Sequence, residues 1–320
     1  SWLSYQLDWK ATPFSATFAV TNRCNLRCSY CNFPFLDSSE LTLIQIDYLF
    51  KNLKKLGVQR LGLVGGEPML RGDLDQIIAC AKQLNFYVSV NTNLTLYEKR
   101  AKLLNDADFI FTSLDGDQKT HCQNRGSHNY ESIISSIQEL RNLGKKLVII
   151  CVLTEQNLNQ VDYLIELTEK LNVRIHFQPL CSDTEIVRGG FEEDFNQDRY
   201  REVWKKILIR KKAGKPIFSS QSYLESIIHW SDFSVNSLFD QNKKCAAGRG
   251  FLFIDPQGQA YPCAYTKGKT KGINLLDESW KSAFNSQTPC TQCIVGPMLE
   301  FNLLYQQPWQ QLRNIYQSWR

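Results

Sequence analysis

The sequence lacks the long apolar segments that membrane-spanning and secreted proteins carry. It contains no run of about eighteen apolar residues, which is the length that a helix needs to cross a bilayer. Residues 1–20 include Asp8 and Lys10 and hold no apolar core of the kind found in a signal peptide. We therefore expect a cytoplasmic protein with no membrane partner.

A strong charge imbalance is also missing. The chain has 37 basic and 32 acidic residues in a length of 320, which gives a formal net charge of +5. No basic block stands out, and no basic stretch is interleaved with aromatic residues. Since nucleic-acid binding depends on such concentrated positive charge, we expect no nucleic-acid partner.

Cysteine, by contrast, is abundant, with 11 residues. In a chain without a secretion signal, this abundance indicates metal binding or catalysis rather than disulfides. Cys24, Cys28 and Cys31 follow one another in a C-x3-C-x2-C spacing. Three thiolates can hold three irons of a cubane [4Fe–4S] cluster and leave the fourth iron open for a ligand. No further Cys or His lies close by to complete a zinc site, but a zinc knuckle and three unrelated core thiols are the alternatives.

A second group of cysteines lies near the end of the sequence and consists of Cys245, Cys263, Cys290 and Cys293. Four thiolates are enough to close a tetrahedral zinc site or to saturate a cubane cluster. The residues between the first two of them predict a β-hairpin that turns at the Pro-Gln-Gly segment 256–258. The spacing alone leaves both zinc and iron–sulfur open.

Short apolar strand patterns alternate with helical patterns over residues 15–181. Strands are predicted at 16–20, 60–64, 87–91, 109–113, 147–153 and 174–178. Helices are predicted at 42–56, 73–84, 97–105, 129–143 and 158–171, and two more beyond this region at 196–212 and 220–230. The alternation predicts an α/β fold with a parallel sheet covered by helices. Because the strands are so apolar, we expect them to be buried on both faces.

The unusual polar residues of this region come at or just after the ends of the predicted strands. The segment Gly65-Gly66-Glu67-Pro68 follows the second strand, and Asn91 ends the third. Ser113 ends the fourth strand, and Gln178 ends the sixth. In βα barrels the carboxyl ends of the strands carry the chemistry, so we expect the active site at this edge of the sheet.

Together these motifs resemble the radical S-adenosylmethionine (SAM) superfamily, whose signature has the same cysteine spacing with an aromatic residue, here Tyr30, before the third cysteine. The resemblance implies a partial (β/α)6 barrel of TIM type. It also implies that the open iron of the first cluster binds the amino and carboxylate groups of SAM. One electron then cleaves SAM to methionine and a 5′-deoxyadenosyl radical, which abstracts a hydrogen atom from the substrate.

The same resemblance implies roles for single residues around SAM. Glu67 would pair with the amino group of SAM, while Gly65 and Gly66 would let the backbone approach the ligand closely. Ser113 would contact the ribose, and Arg125 would contact the carboxylate. Arg125 has a simple alternative as a surface charge.

Three further residues are candidates at the same edge. Asn91 and Gln178 are placed near the expected ligand, with local hydrogen bonding to loop backbone as their alternative. Cys181, just past the sixth strand, is a candidate donor of a hydrogen atom to a substrate radical, as in some epimerases of this family. Packing as a small apolar residue is the alternative for this thiol.

The second cysteine group resembles the twitch domain, a shortened relative of the SPASM domain of radical SAM enzymes. That resemblance implies one auxiliary [4Fe–4S] cluster. We predict three regions: a radical SAM core at 1–185, a helical bridge at 186–240, and an auxiliary-cluster domain at 241–320. The last would comprise the β-hairpin and a closing helix at 303–320.

The expected function is hydrogen-atom abstraction from a ribosomally made precursor peptide, leading to a cross-link, an epimer or an excised backbone fragment. Only about fifteen residues precede the first strand, so we expect a separate small protein to recognise the leader peptide. A flavodoxin or ferredoxin would supply electrons. The alternatives are a dehydrogenase or rearrangement enzyme for a small molecule such as an aminocyclitol or nucleoside, and a non-enzymatic zinc-binding module.

Overall fold

In the computed structural model, one large sheet organises the chain. The structure describes residues 13–37, 39–126, 128–181, 185–187, 195–240, 245–277, 280, 288 and 290–306. The strands of the large sheet are Ser15–Thr21 (β1), Arg60–Gly65 (β2), Tyr87–Thr92 (β3), Phe109–Ser113 (β4), Leu147–Leu153 (β5), Arg174–Pro179 (β6), Phe251–Ile254 (β8), Gln259–Tyr261 (β9) and Ile273–Asn274 (β10). Two short strands, Ser237–Leu238 (β7) and Gln292–Cys293 (β11), form a separate antiparallel pair.

The large sheet is mostly parallel. Its strand order is β10-β9-β8-β1-β2-β3-β4-β5-β6, and β1 to β6 run parallel to one another. The order is linear, and the described strands do not close into a ring. This confirms the predicted α/β fold and agrees with a partial barrel of TIM type.

Helices follow most of the parallel strands and pack on the sheet. They are Leu43–Lys55 (α1), Leu74–Gln83 (α2), Tyr97–Arg100 (α3), Gln118–Arg125 (α4), Tyr130–Asn142 (α5), Val161–Lys170 (α6), Gln197–Lys212 (α7), Gln221–Ile228 (α8) and Gly296–Gln306 (α9). In α1 the buried residues Ile46, Leu49, Phe50 and Leu53 recur every three or four positions, so one face meets the core. A capping box between Thr42 and Gln45 begins this helix.

All six strands predicted within residues 15–181 are present, and the predicted bounds of β4 and β5 are those observed. The predicted helix at 97–105 is shorter, because α3 passes at residue 101 into the 3-10 helix Ala101–Leu104. The region 158–171 likewise divides into the end of the 3-10 helix Glu155–Gln160 and α6. Both differences concern helix type and not the order of the elements.

Helix α4 was not predicted, although its ends carry recognisable signals. The side chain of Asp117 accepts a hydrogen bond from the Thr120 backbone N–H at 2.8 Å, which caps the amino end. Gly126 ends the helix with a φ of 64°, in the left-handed region that glycine adopts without strain. The low apolar content of the segment hides this helix from a search for apolar periodicity.

Burial along β1 and β5 confirms the expectation that both faces are covered, whereas β3 and β4 differ from it. Along β3 and β4 buried residues alternate with half-buried ones. The buried set, including Val88, Val90 and Ile110, lies in the main hydrophobic core beneath the helices. The alternate set lies on the opposite, concave face, which at β6 is covered by α8 and α9 through Tyr223 beside His176 and Gly296 beside Gln178. A ligand bound inside the partial barrel would lie against this face of the sheet.

The C-terminal hairpin continues the large sheet. β8 pairs in parallel with β1, with Phe18 opposite Ile254, and β9 returns antiparallel beside β8. Leu252 and Ile254 belong to the same hydrophobic core as β1. The predicted boundary at 240/241 therefore precedes an extension of the core sheet. The division into three regions stays a prediction.

The last described helix, α9, begins at Gly296, earlier than the predicted closing helix at 303–320. The part of that prediction beyond residue 306 lies outside the described residues. Among the described helices, none has both the length and the apolar character needed to cross a membrane.

Candidate active site and auxiliary cysteine cavity

The loop with Cys24, Cys28 and Cys31 leaves the carboxyl end of β1 and is held by the glycine segment after β2. The backbone N–H of Gly66 donates to the Thr21 carbonyl at 2.9 Å, and that of Glu67 donates to the Arg23 carbonyl at 2.8 Å. A Cβ on Gly65 would lie 2.1 Å from the Thr21 oxygen, and one on Gly66 would lie 2.2 Å from the Arg23 oxygen. The glycines therefore permit the close approach of two protein loops, and the predicted approach of their backbone to a ligand stays a prediction.

The carboxylate of Glu67 is turned into the protein. It is 1% exposed and accepts hydrogen bonds from the Met69 backbone N–H at 2.9 Å, the Thr92 hydroxyl at 2.7 Å and the Asn93 backbone N–H at 2.7 Å. Burial raises its pKa, and these donors oppose that rise. Ordering the ends of β2 and β3 fits this geometry better than the predicted contact with the amino group of SAM, which stays a prediction.

The end of β3 also holds the cysteine loop. The side-chain amide of Asn93 donates to the Asn25 side-chain oxygen at 3.0 Å, and Asn25 in turn donates to the Thr95 hydroxyl at 2.7 Å. Asn25 lies next to Cys24 in sequence, so this contact fixes the first cysteine against the third strand. The loop is therefore tied to two neighbouring strand ends.

Tyr30, Asp115 and Arg125 form a buried cluster on the other side of the loop. The Tyr30 hydroxyl donates to Asp115 Oδ2 at 2.9 Å. Arg125 donates to both oxygens of the same carboxylate, from Nε at 2.8 Å and from Nη2 at 3.0 Å. The guanidinium also lies 5.6 Å from the centre of the Tyr30 ring. In this arrangement Arg125 neutralises and orients the Asp115 carboxylate. Its contact with the SAM carboxylate stays a prediction.

Helix α4 positions this cluster. The Asn124 carbonyl accepts a hydrogen bond from the Ser29 backbone N–H at 3.0 Å, which joins the end of α4 to the cysteine loop. His121 accepts through Nδ1 from the Asp115 backbone N–H at 3.3 Å. Burial lowers the pKa of His121 to about 4, so the ring is neutral at pH 7 and suited to accept this bond.

The three thiols of the loop are close enough to interact electrostatically. Burial, followed by smaller contributions from Glu67, Cys28 and Cys31, raises the pKa of Cys24 to about 11. The Leu26 backbone N–H points to the Cys24 sulfur at 3.4 Å and stabilises its thiolate. Thiolates are the forms that bind metal, so loading this site would release protons.

Within the described parts of the chain, no three side chains of His, Cys, Asp or Glu converge closely enough to hold one metal ion. A zinc ion gathers its thiolates around one centre at about 2.3 Å each. Each thiolate of a cubane cluster binds a different iron, so that its cysteines stand farther apart. No single-ion site is preformed among the described residues, and the metal that each cysteine group holds stays a prediction.

Asn91, Ser113 and Gln178 lie on the concave face of the sheet, as their places in β3, β4 and β6 require. Each is half-buried, in contrast with its buried neighbours in the strand. Phe109 and Phe111 share this face, with their ring centres 4.8 Å apart. The three polar residues thus border one space, and their contacts with SAM stay predictions.

Cys181 is 4% exposed and belongs to the main hydrophobic core. Its sulfur lies 3.7 Å from the Pro179 carbonyl, and burial raises its pKa to about 12. This environment fits the packing alternative. Donation of a hydrogen atom by Cys181 stays a prediction.

The second cysteine group surrounds a cavity of about 180 Å³, lined by Cys245, Cys263, Cys290 and Cys293. The four come from separate places: before β8, after β9, and in and beside β11. Burial raises the pKa of Cys263 to about 12, with a further contribution from Cys245. A water molecule occupies about 30 Å³ of the liquid, so this cavity is large enough for a group of several atoms.

Comparison with known proteins agrees with this architecture. Residues 18–168 match the sequence profile of the Radical SAM superfamily. A probable GTP 3′,8-cyclase of Archaeoglobus fulgidus is 33% identical over 185 residues, which are 55% of this chain and 62% of that protein. The chain therefore spans less than two thirds of the length of this relative.

Two solved structures share the fold. SuiB of Streptococcus suis, solved with bound S-adenosylmethionine, superposes with a TM-score of 0.70 at 16% identity, over 90% of this chain and 69% of SuiB. The protein anSMEcpe, solved with bound AdoMet, gives a TM-score of 0.68 at 17% identity, over 96% of this chain and 99% of anSMEcpe. At such identities the likeness concerns the fold alone.

Proposed function

We propose that this chain is a radical SAM enzyme, because residues 18–168 match that superfamily, whose enzymes use a [4Fe–4S] cluster and SAM, and that Cys24, Cys28 and Cys31 hold the cluster. When bound, the cluster would supply the electron that cleaves SAM to methionine and a 5′-deoxyadenosyl radical. The observation that carries this assignment is the fixed cysteine loop. It is tied to β2, β3 and α4 by the hydrogen bonds described above, so three thiols are presented from one ordered segment.

The remaining residues of the site would bind and orient SAM and its reaction partner. The concave face offers Asn91, Ser113 and Gln178 as hydrogen-bonding groups beside the aromatic rings of Phe109 and Phe111. Along β3 and β4 the buried positions face the main core on the opposite side, so a substrate would enter on this one. Such a face suits a ligand with both polar and apolar parts.

We also propose an auxiliary [4Fe–4S] cluster in the cavity of the second cysteine group. Four thiolates saturate a cubane and leave no iron open, so this site would pass electrons or position the substrate. The cavity volume of about 180 Å³ supports a cluster over a single ion. A twitch-type domain is the corresponding assignment for this region.

The first candidate substrate is a precursor peptide. SuiB has been solved with its precursor peptide SuiA, and anSMEcpe with the Cp18Cys peptide, so two proteins of this fold accept peptides. On the concave positions of β1 to β6 the Lys and Arg residues are Arg60 and Arg174, each the first residue of its strand and so at the end of the sheet opposite the active edge. A peptide backbone needs hydrogen bonds and apolar contacts but no concentrated positive charge. A separate leader-recognition protein and a flavodoxin or ferredoxin would complete the system.

A nucleotide is the second candidate, because the relative from Archaeoglobus fulgidus is a probable GTP 3′,8-cyclase. A triphosphate favours several Arg or Lys side chains, since these form the strongest hydrogen bonds to phosphate oxygens. The positions of this face at the carboxyl ends of β1 to β6 carry no Lys or Arg, which ranks this candidate below a peptide.

One experiment tests the chemistry before the substrate. The chain, loaded anaerobically with iron and sulfide and then reduced, should form 5′-deoxyadenosine from SAM. A variant with Ala at Cys24, Cys28 and Cys31 should form none, while Cys80→Ala, a cysteine of α2 outside both groups, should retain the activity. Equal product from the triple variant would refute the assignment.

The substrate is then tested on the active preparation. Peptides encoded beside the gene and GTP are each added, and deoxyadenosine formation and the mass of the added molecule are followed. A changed peptide mass with GTP unchanged supports the first candidate. Conversion of GTP with unchanged peptides supports the second.

A further inference from the structure

Asn302 of helix α9 lies beside the first cysteine of the auxiliary cavity. It is 3% exposed, although its side chain is polar. A buried amide must find hydrogen-bond partners, because an unsatisfied one costs about 1–3 kcal/mol. Its partners are therefore a guide to what it does.

The hydrogen bonds fix the orientation of this amide. The Ala246 backbone N–H, which can only donate, lies 2.7 Å from Asn302 Oδ1. Oδ1 is therefore the acceptor, and the other end of the amide, Nδ2, lies 3.5 Å from the Cys245 sulfur. The sulfur lies at the same distance from Oδ1, to which a protonated thiol donates, whereas Nδ2 carries only donor hydrogens and donates to the sulfur in the thiolate form that binds a cluster.

A second donor reaches the same sulfur. The Ala247 backbone N–H lies 3.4 Å from Cys245 Sγ, so that one backbone and one side-chain group converge on it. In the first cysteine group the Leu26 backbone N–H makes the corresponding contact with Cys24 at 3.4 Å, and the Arg125 side chain donates to Cys28. Asn302 thus supplies Cys245 with a side-chain donor in addition to the backbone contact that Cys24 also receives.

We propose that Asn302 is a positioning residue that holds Cys245 toward the cavity and raises the reduction potential of the auxiliary cluster. This inference rests on the auxiliary cluster of the proposed function. Reduction adds negative charge to the cluster and its sulfurs, and N–H donors stabilise that charge. The effect is strong at this site because Asn302 is buried, away from the screening of water.

Two substitutions separate the contacts of this side chain. Asn302→Asp keeps an oxygen acceptor for the Ala246 N–H, loses the donor to Cys245 and adds a negative charge. Asn302→Leu has similar volume and loses both contacts. Ser226→Ala lies on the neighbouring helix α8, away from the cavity. It serves as the control for general effects of a substitution in the helices that pack around α9.

The readout is a redox titration followed by electron paramagnetic resonance on anaerobically loaded protein. With about eight irons per chain in the wild type and in both variants, we expect a lower midpoint potential for the auxiliary cluster in each variant. A tenfold shift in the reduction equilibrium corresponds to 59 mV for a one-electron couple. The potential of the SAM-binding cluster should be the same in all variants. In Ser226→Ala the potential of the auxiliary cluster should also equal that of the wild type.

The outcomes distinguish the two levels of the inference. Two clusters with an unchanged auxiliary potential in Asn302→Asp would overturn the role of Asn302 and leave the proposed function standing. About four irons in the wild type, with zinc in the second site, would overturn the auxiliary cluster itself. Loss of the second cluster from Asn302→Leu, with its retention at lower potential in Asn302→Asp, supports both the positioning and the tuning.

Discussion

The guanidinium of Arg125 binds the carboxylate of Asp115 through two parallel hydrogen bonds of 2.8 and 3.0 Å. Asp115 is 0% exposed and Arg125 7%. Asp115 follows β4 and Arg125 ends α4, so their ion pair joins the two ends of the segment between them. Tyr30, in the cysteine loop, packs against this pair and is held in place by it. An ion pair in such a place serves the geometry of the site more than the stability of the fold.

Removal of one partner of this pair should be costly. Arg125→Leu leaves the Asp115 carboxylate buried without its counter-charge, and we expect a loss of about 3–5 kcal/mol in the free energy of unfolding. Changing both residues to Leu should cost less, because no uncompensated charge remains. Urea unfolding of the three proteins without cluster measures the difference.

The same variants test the contact with SAM that the family resemblance implies for Arg125. If Arg125 binds the SAM carboxylate, Arg125→Lys should weaken SAM binding while the free energy of unfolding stays unchanged. If Arg125 instead holds Asp115 in place, the loss of the bidentate contact should lower the free energy of unfolding more than it lowers the affinity for SAM. Titration of loaded protein with SAM, alongside unfolding, decides between the two.

Glu67 should act on the structure of the site more than on SAM itself. Glu67→Gln places an amide NH2 among groups that already donate, so that at least one donor loses its acceptor. We expect the free energy of unfolding to fall by about 1–3 kcal/mol. Glu98→Gln, an exposed carboxylate of α3, is the matched control and should be neutral. Weaker SAM binding without loss of stability would return Glu67 to the predicted contact with the SAM amino group.

The glycine segment offers a sharper test of loop packing. A Cβ on Gly66 would lie 2.2 Å from the Arg23 oxygen and 2.5 Å from the Asn22 oxygen, and neither backbone atom can move without moving the cysteine loop. We expect Gly66→Ala to destabilise the protein by at least about 1–3 kcal/mol and to reduce iron loading at the first site. Gly72→Ala is the control, because no atom lies within 4 Å of its added Cβ. Normal iron content in Gly66→Ala would show that the two loops are not rigidly coupled.

The sequence was sufficient for the features that depend on local pattern. The apolar runs predicted β4 and β5 with their observed bounds, and glycine and proline marked the loops at the active edge. The helix predicted at 42–56 is observed at Leu43–Lys55, with Thr42 as its cap and Gly57 in the left-handed region just after it. Helix α4 was also recoverable, through Asp117 and Gly126, but its polar composition gave no apolar period.

Features that depend on tertiary contacts were out of reach. The parallel pairing of β8 with β1 joins residues more than two hundred positions apart, and no local pattern specifies a partner strand. The inward turn of Glu67 and the pairing of Arg125 with Asp115 depend on donors from other loops. Asn302 carries no sequence signal either, since its role depends on the position of α9 against Cys245.

The second cysteine group should be dispensable for SAM cleavage and needed for product. A variant with Ala at Cys290 and Cys293 removes two of the four thiolates around the cavity, so we expect iron to fall from about eight to about four per chain. The first site keeps its three cysteines and its open iron, so 5′-deoxyadenosine should still form, at a reduced rate. Modified substrate should not appear, because the electron acceptor or docking site is lost. Iron analysis, deoxyadenosine yield and substrate mass are measured on one preparation, with Cys80→Ala as control. Unchanged iron content together with loss of bound zinc would identify the region as a structural zinc site.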